Sequence, residues 1–453
     1  MKFSTTIIAI LVLTVTACGE DDEIVVPGSN LDTTFGTNGQ VTTQMDTNGT
    51  QSHIQRILID SSDNIYAIGF LGDSRDSLAV AKYSADGALD TSFATNGKLV
   101  ADFGDRFEAS DAVFHSDGRL IIVGTSQNSS LQSYDDIAIA VVNTDGSLDT
   151  NIDTDGRLTF NIETLMTSGN ASFDRGFGIS RSTVDGAFYI SGESSATESE
   201  PNSIVIKLDS NLNVVSGYGV NGVAFSDFIS NNEETSFDMV ETSGQAIVAG
   251  NVETDSGDLD FMVGKLTSAG TIDADFNTDG VLTVDQSGND EWIEKILLTD
   301  SEANAIAIGW TSSGTGDAVD TDLLLVKFDI ATGTLDTNFG NSGITTLELN
   351  NTNSRVGIRN NNLDGVIDEN GKIVITSQNG LDEFQHMTTF RFNVDGNIDT
   401  TYGANGILGV PRGANIEVGS GKAIAIQSTG KIIAGGQIGA NNDRHFNLVR
   451  LNN

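Results

Sequence analysis

A nine-residue signature, Leu-Asp-Thr-x-Phe-x-x-Asn-Gly, recurs seven times along this chain and constrains its fold more than any other feature. The copies stand at Leu31–Gly39, Leu89–Gly97, Leu148–Gly156, Val214–Gly222, Ile272–Gly280, Leu335–Gly343 and Ile398–Gly406. Their closing glycines lie 58, 59, 66, 58, 63 and 63 residues apart. A period of this size means that one supersecondary unit is repeated, as in propellers and solenoids. The 453 residues therefore read as one continuous body, since neighbouring repeats share a core.

Residues 109–167 illustrate the unit. Ala112–Phe114 is an apolar run, and Ser116-Asp117-Gly118 turns the chain into Leu120–Gly124. Ile137–Val142 follows a variable loop, Asp145-Gly146 turns again, and Arg157–Phe160 comes after the signature. Four β-rich runs joined by Asp-Gly or Asn-Gly are hairpin chemistry, because such turns require positive φ. No stretch of the mature chain shows a 3.6-residue period, so the expected class is all-β.

Three regularities recur around the units. The second strand ends in glycine in six of seven units, which predicts a bulge or a close backbone approach. The third strand carries Lys82, Lys207, Lys265, Lys327, Arg391 and Arg450, one base in each of six units. The signature's aromatic position holds Phe35, Phe93, Tyr218, Phe276, Phe339 and Tyr402, with Ile152 in the remaining unit. Residues that every unit needs equally read as scaffold.

The two ends are complementary. The repeats begin at Leu31 with only a signature and one strand, Gln40–Met45, and stop after a third strand, Phe446–Leu451. Joining these ends closes a seven-bladed β-propeller of four-stranded antiparallel blades, with no exposed sheet edge and no need for capping repeats. Ile59–Tyr66 resembles an NHL-type blade start. Gly371–Val374 and Leu335–Gly343 resemble the delta-60 repeats of bacterial proteins, a resemblance that covers Leu31 to Asn453. It implies a propeller of unknown function in exported proteins and supplies no catalytic residues.

The N-terminus reads as an address. Met1-Lys2, the apolar run Phe3–Thr16 and Val15-Thr16-Ala17-Cys18 resemble a bacterial lipoprotein signal peptide. That resemblance implies removal of residues 1–17 and lipid attachment at Cys18, the single cysteine. Gly19 after the cysteine points to the outer membrane, facing the periplasm or the exterior. Residues 18–30 form an acidic tether, and 31–453 the propeller. Sixty-three acidic against twenty-three basic residues give a formal charge of −40. This field repels nucleic acid and suits a soluble exported monomer.

Candidate chemistry is sparse. Gly-x-Ser-x-Gly, His-Glu-x-x-His and phosphate-loop motifs are absent. The innermost strands should bring Arg56, Asp111, Arg175, Asp238, Glu294, Asp364 and Lys422 to the mouth of the central tunnel, as a ligand site. Asn151, Asp153 and Asp155, with Asp275, Asn277 and Asp279, match half of a calcium loop without its twelfth-position acid. Trp292 and Trp310 read as blade packing. The expected function is a non-catalytic binding or scaffold protein for an envelope protein, peptide or glycan. The alternative is a metal-assisted hydrolase or lactonase, with Asp111, Asp238, Glu294 and Asp364 as ligands or bases.

Overall fold

The computed structural model describes residues 30–453 except 73–74, 76, 105, 128–134, 167–172, 196–200, 230–231, 255–256, 287, 300–301, 314–319, 350–362, 380–385, 411–417 and 441–442. The proposed leader, Cys18 and nearly all of the tether lie outside the described residues. Seven four-stranded antiparallel sheets follow one another along the chain. Blade 2 shows the order: Arg106–Phe114 innermost, then Leu120–Gln127, Asp135–Val142 and Arg157–Phe160 outermost. The inner strands of blades 1 and 3–7 are Ser52–Ile59, Phe173–Arg181, Glu234–Thr242, Asp290–Leu298, Leu363–Ile367 and Val418–Ile426. One short helical turn, Ile162–Met166, follows the outer strand of blade 2 and departs from the purely β expectation.

Middle strands are buried on both faces, which explains their continuous β-branched runs; Ile121–Val123 and Ile137–Val142 are fully buried. Seven apolar clusters fill the gaps between adjacent blades. One of them joins blade 7 to blade 1 through Ile433, Phe446 and Leu448 against Ile54, Ile57 and Ile65. The ring therefore closes. The N-terminal strand Gln40–Thr43 completes blade 7, pairing antiparallel with Val449–Phe446.

The recurrent base, acid and aromatic form one fixture. Lys82 pairs with Asp90 at 3.1 Å and lies over the Phe93 ring. Lys265, Lys327 and Arg391 repeat the arrangement with Asp273, Asp336 and Asp399. In blade 7 the acid comes from the other end of the chain: Arg450 meets Asp32 at 3.0 Å and lies over Phe35. Exceptions are compensated locally. Blade 2 has neither base nor aromatic, and Asp149 is held by Arg119 from the first hairpin. Blade 3 has Val215 in place of the acid, and Lys207 turns to Asp185 at 3.7 Å.

The recurrent glycine serves the inner strand. Ladder register shifts at Ile54/Arg56, Ala109/Asp111, Gly176/Gly178, Ser236/Asp238, Ile293/Lys295 and Gly421/Ala423, so six inner strands carry a bulge. Opposite each bulge stands a glycine. A methyl group on Gly69, Gly124, Gly192, Gly250, Gly309 or Gly436 would fall 1.7–2.1 Å from an inner-strand carbonyl oxygen. In blade 7 the glycine at this register is Gly436, one residue beyond the strand end that sequence suggests. Blade 6 has Ser377 there, and its described ladder shows no shift.

Candidate functional site

Each bulge inserts one residue into the inner strand and aims it at the axis. These inserted residues are Gln55, Ser110, Phe177, Phe237, Glu294 and Lys422, and Leu363 holds the same place in blade 6. All seven line one cavity of about 500 Å³ on the propeller axis.

Its floor is the next register: Arg56, Asp111, Gly178, Asp238, Lys295, Asp364 and Ala423 in blades 1–7. Arg56 binds Asp111 at 2.9 Å and Asp364 at 3.2 Å. Lys295 binds Asp238 at 2.9 Å and stands 4.0 Å from Asp364. Each aspartate also accepts a backbone N–H from the following blade: Asp111 from Ile179, Asp238 from Ile296 and Asp364 from Ile424. The floor is thus a charged lock that ties blades together across the axis. Burial would lower the pKa of Arg56 and Lys295, but the three aspartates outweigh it and both stand above their usual values. Burial pushes Asp238 upward despite Lys295.

The walls differ. On the side of blades 3–5, Phe177 packs against Phe237 at 5.4 Å, Phe237 stacks on Trp292 at 5.2 Å, and Trp292 stacks on Trp310 at 5.6 Å. Trp310 donates to Glu294 at 3.2 Å. On the other side Glu108 is gripped by Arg75 and Arg106. Arg175 joins Asp135 at 3.0 Å and Glu193 at 3.2 Å. Lys422 is half-buried, and burial holds its ammonium below the usual pKa.

All seven expected tunnel-mouth residues line this cavity, in three registers rather than one. Arg56, Asp111, Asp238 and Asp364 form the floor, Glu294 and Lys422 sit at bulges, and Arg175 stands two residues before its bulge. Lys295 escaped sequence reading because the bulge moves the floor position one residue past Glu294. Arg75, Arg106, Glu108, Asp135 and Glu193 also line the cavity, outside the inserted and floor registers. Trp310 packs within its blade as expected, whereas Trp292 lines the cavity.

In the turns, Asp155 accepts from Arg157 N–H and Asp279 from Val281 N–H. Asn277 donates to the Val281 carbonyl, and Asn151 to Asp149. Among the described residues, Asp258, Asp260 and Asp285 in blade 4 are gathered closely enough to hold a cation. There burial, with Asp285 and Asp258 beside it, raises Asp260 to about 6. The axial carboxylates are engaged by Arg56 and Lys295 rather than converging on an open point, which does not suit a metal centre.

Fold and axial cavity together define a seven-bladed β-propeller with a polar pocket at its centre. A family model described as "Domain of unknown function (DUF5122) beta-propeller" matches residues 115–151 and 427–453. No curated protein matches the chain. Among solved structures, a protein of unknown function from Dyadobacter fermentans is 8% identical, with 91% of this chain and 97% of that chain covered and a TM-score of 0.47. The polysaccharide lyase Uly1 is 10% identical, with 92% and 93% covered and a TM-score of 0.47. The β-propeller domain of a trilobed protease from Pyrococcus furiosus is 7% identical, with 89% and 93% covered and a TM-score of 0.41.

Proposed function

We propose that this protein is a non-catalytic binding protein of the bacterial envelope, lipid-anchored at Cys18 to the outer membrane, that holds a small polar ligand in its axial cavity. The observation that carries this reading is the break in repeat symmetry at the axis. Blades that share one fixture at their periphery present six different side chains across the seven inserted positions, from Gln55 to Lys422, with only phenylalanine used twice. A packing role would favour the same residue in each blade, while recognition of an asymmetric molecule requires different ones. The ion-paired state of Asp111, Asp238 and Asp364 favours binding over hydrolysis, because none is left as an open metal ligand or base.

The test is a titration of the purified full-length protein with fractionated envelope glycans and peptides, followed by intrinsic fluorescence. The only two tryptophans, Trp292 and Trp310, stack in the cavity wall and should report occupancy. A saturable change that Trp292→Ala abolishes supports the reading. Saturable binding, measured by calorimetry, that persists in Trp292→Ala would move the ligand elsewhere. Palmitate labelling lost in Cys18→Ser tests the anchor.

A further inference from the structure

The cavity's chemistry narrows its ligand. Six of the twenty-three lysines and arginines line this one cavity, in a chain of formal charge −40. Five are ion-paired: Arg56, Arg75, Arg106, Arg175 and Lys295. Lys422 is the lining cation without an ion pair among the described residues. Glu294, Asp364 and Glu108 act on its ammonium from a distance but do not offset its withdrawal from water, and a bound anion in direct contact would make up the difference.

The rest of the cavity says what must accompany the anion. The Phe237–Trp292 wall offers an apolar aromatic surface that suits a C–H-bearing ligand face. Elsewhere on the lining, Glu108 with its two arginines and Arg175 with its two acids set donors and acceptors side by side. Such an array matches neighbouring hydroxyl groups, each of which both gives and takes a hydrogen bond. Seven carboxylates line the cavity beside the six bases, so a doubly charged phosphate is repelled more strongly than a single carboxylate resting on Lys422.

Resting on the cavity reading above, we infer that the ligand is an acidic sugar at the end of a glycan, its ring against Trp292 and Phe237 and its carboxylate on Lys422. A cavity of about 500 Å³ lies within the range of small-ligand sites, and the charged floor limits how deeply a glycan enters.

Two pairs of probes test this on the full-length protein: trigalacturonate against its methyl ester, and sialyllactose against lactose. At least one acid should bind ten-fold or more tightly than its neutral partner. Lys422→Met should erase that difference, and Lys422→Arg should retain most of it, with both variants melting within a few degrees of the parent. The inference is overturned if neither acid binds, if each acid and its partner bind equally, or if Lys422→Met leaves acid binding unchanged. Should neutral sugars or peptides titrate while the acids do not, the charge assignment fails and the cavity reading survives. If no compound in either experiment binds, both fail.

Discussion

The periphery and the axis of this propeller are built from the same repeats under opposite rules. At the periphery, a base, an acid and an aromatic recur nearly unchanged, and where one member is lost a neighbour replaces it, as Arg119 does for Asp149. At the axis no two adjacent blades offer the same charge: the floor runs from Arg56 through Asp111, Gly178, Asp238, Lys295 and Asp364 to Ala423. Repetition therefore carries the shared packing, and departure from repetition gives the axis the asymmetry on which the proposed recognition rests. The glycine-backed bulge connects the two, being a repeated device that aims an unrepeated side chain.

The comparison can be broken most severely where a peripheral fixture also closes the ring. Arg450→Ala removes a buried guanidinium from Asp32 and from the Phe35 ring, while Lys431 stays on Asp32 at 3.3 Å; it should cost about 3 kcal/mol, read by chemical denaturation, with ligand affinity unchanged below the transition. The inter-blade loops give a pH test. Glu234 accepts from Phe228 and Ile229 N–H, and Glu291 from Gln286 N–H and the Thr311 hydroxyl. Burial raises both to about 7. The folded chain thus holds these protons more tightly than the unfolded chain. Their stabilisation is complete below about pH 4.5, the ordinary value of glutamate, and is lost as pH rises through about 7. Glu291→Gln, whose amide oxygen can accept from Gln286 N–H while its NH2 donates to the Thr311 hydroxyl, should flatten its part of this decline and stabilise the fold at pH 8 by an amount on the order of 2–3 kcal/mol, read by chemical denaturation.

Gly309→Ala probes the link between the regions. Its methyl group would meet the Trp292 carbonyl at 1.7 Å, so the bulge must shift, at about 1–3 kcal/mol. Tryptophan emission should change even without ligand, and an unchanged spectrum would separate the bulge from the cavity. The smallest effect is expected at Lys327→Met. This residue has the same register as Arg450 but lies within a covalently continuous blade, with side-chain exposure of 17% and Asp336 at 20%. A loss of about 1 kcal/mol would sharpen the contrast with Arg450, whereas equal losses would remove it.

The fold was legible because seven copies of one signature average out local ambiguity, and because Gln40–Met45 and Phe446–Leu451 are complementary fragments of one unit. The axis was legible in part. Arg56, Asp111, Asp238 and Asp364 occupy corresponding places along their strands, and counting finds them. Lys295 does not yield to counting, since an inserted residue alters the phase and only a backbone glycine hints at it. Trp292 looks like core by composition, and its place in the cavity follows from the convergence of blades 3–5, which no local pattern encodes. Arg75 comes from a loop where the repeats diverge, whereas Glu193, one residue past the recurrent Gly192, becomes a lining residue only once the ladder sets it beside Arg175.

The closing strand has a consequence for the order of biosynthesis. Among the described strands Gln40–Thr43 is made first, yet its partner, Asp443–Leu451, is made last. Gln40 and Asn447, hydrogen-bonded across the finished ladder, are 407 residues apart in sequence. Through nearly the whole of translation this earliest segment stays without its ladder partner, open to pairing with another nascent chain. Delivery of the polypeptide in an unfolded form would spare the cell that hazard, and would leave the final snap of the ring to the compartment where the protein resides.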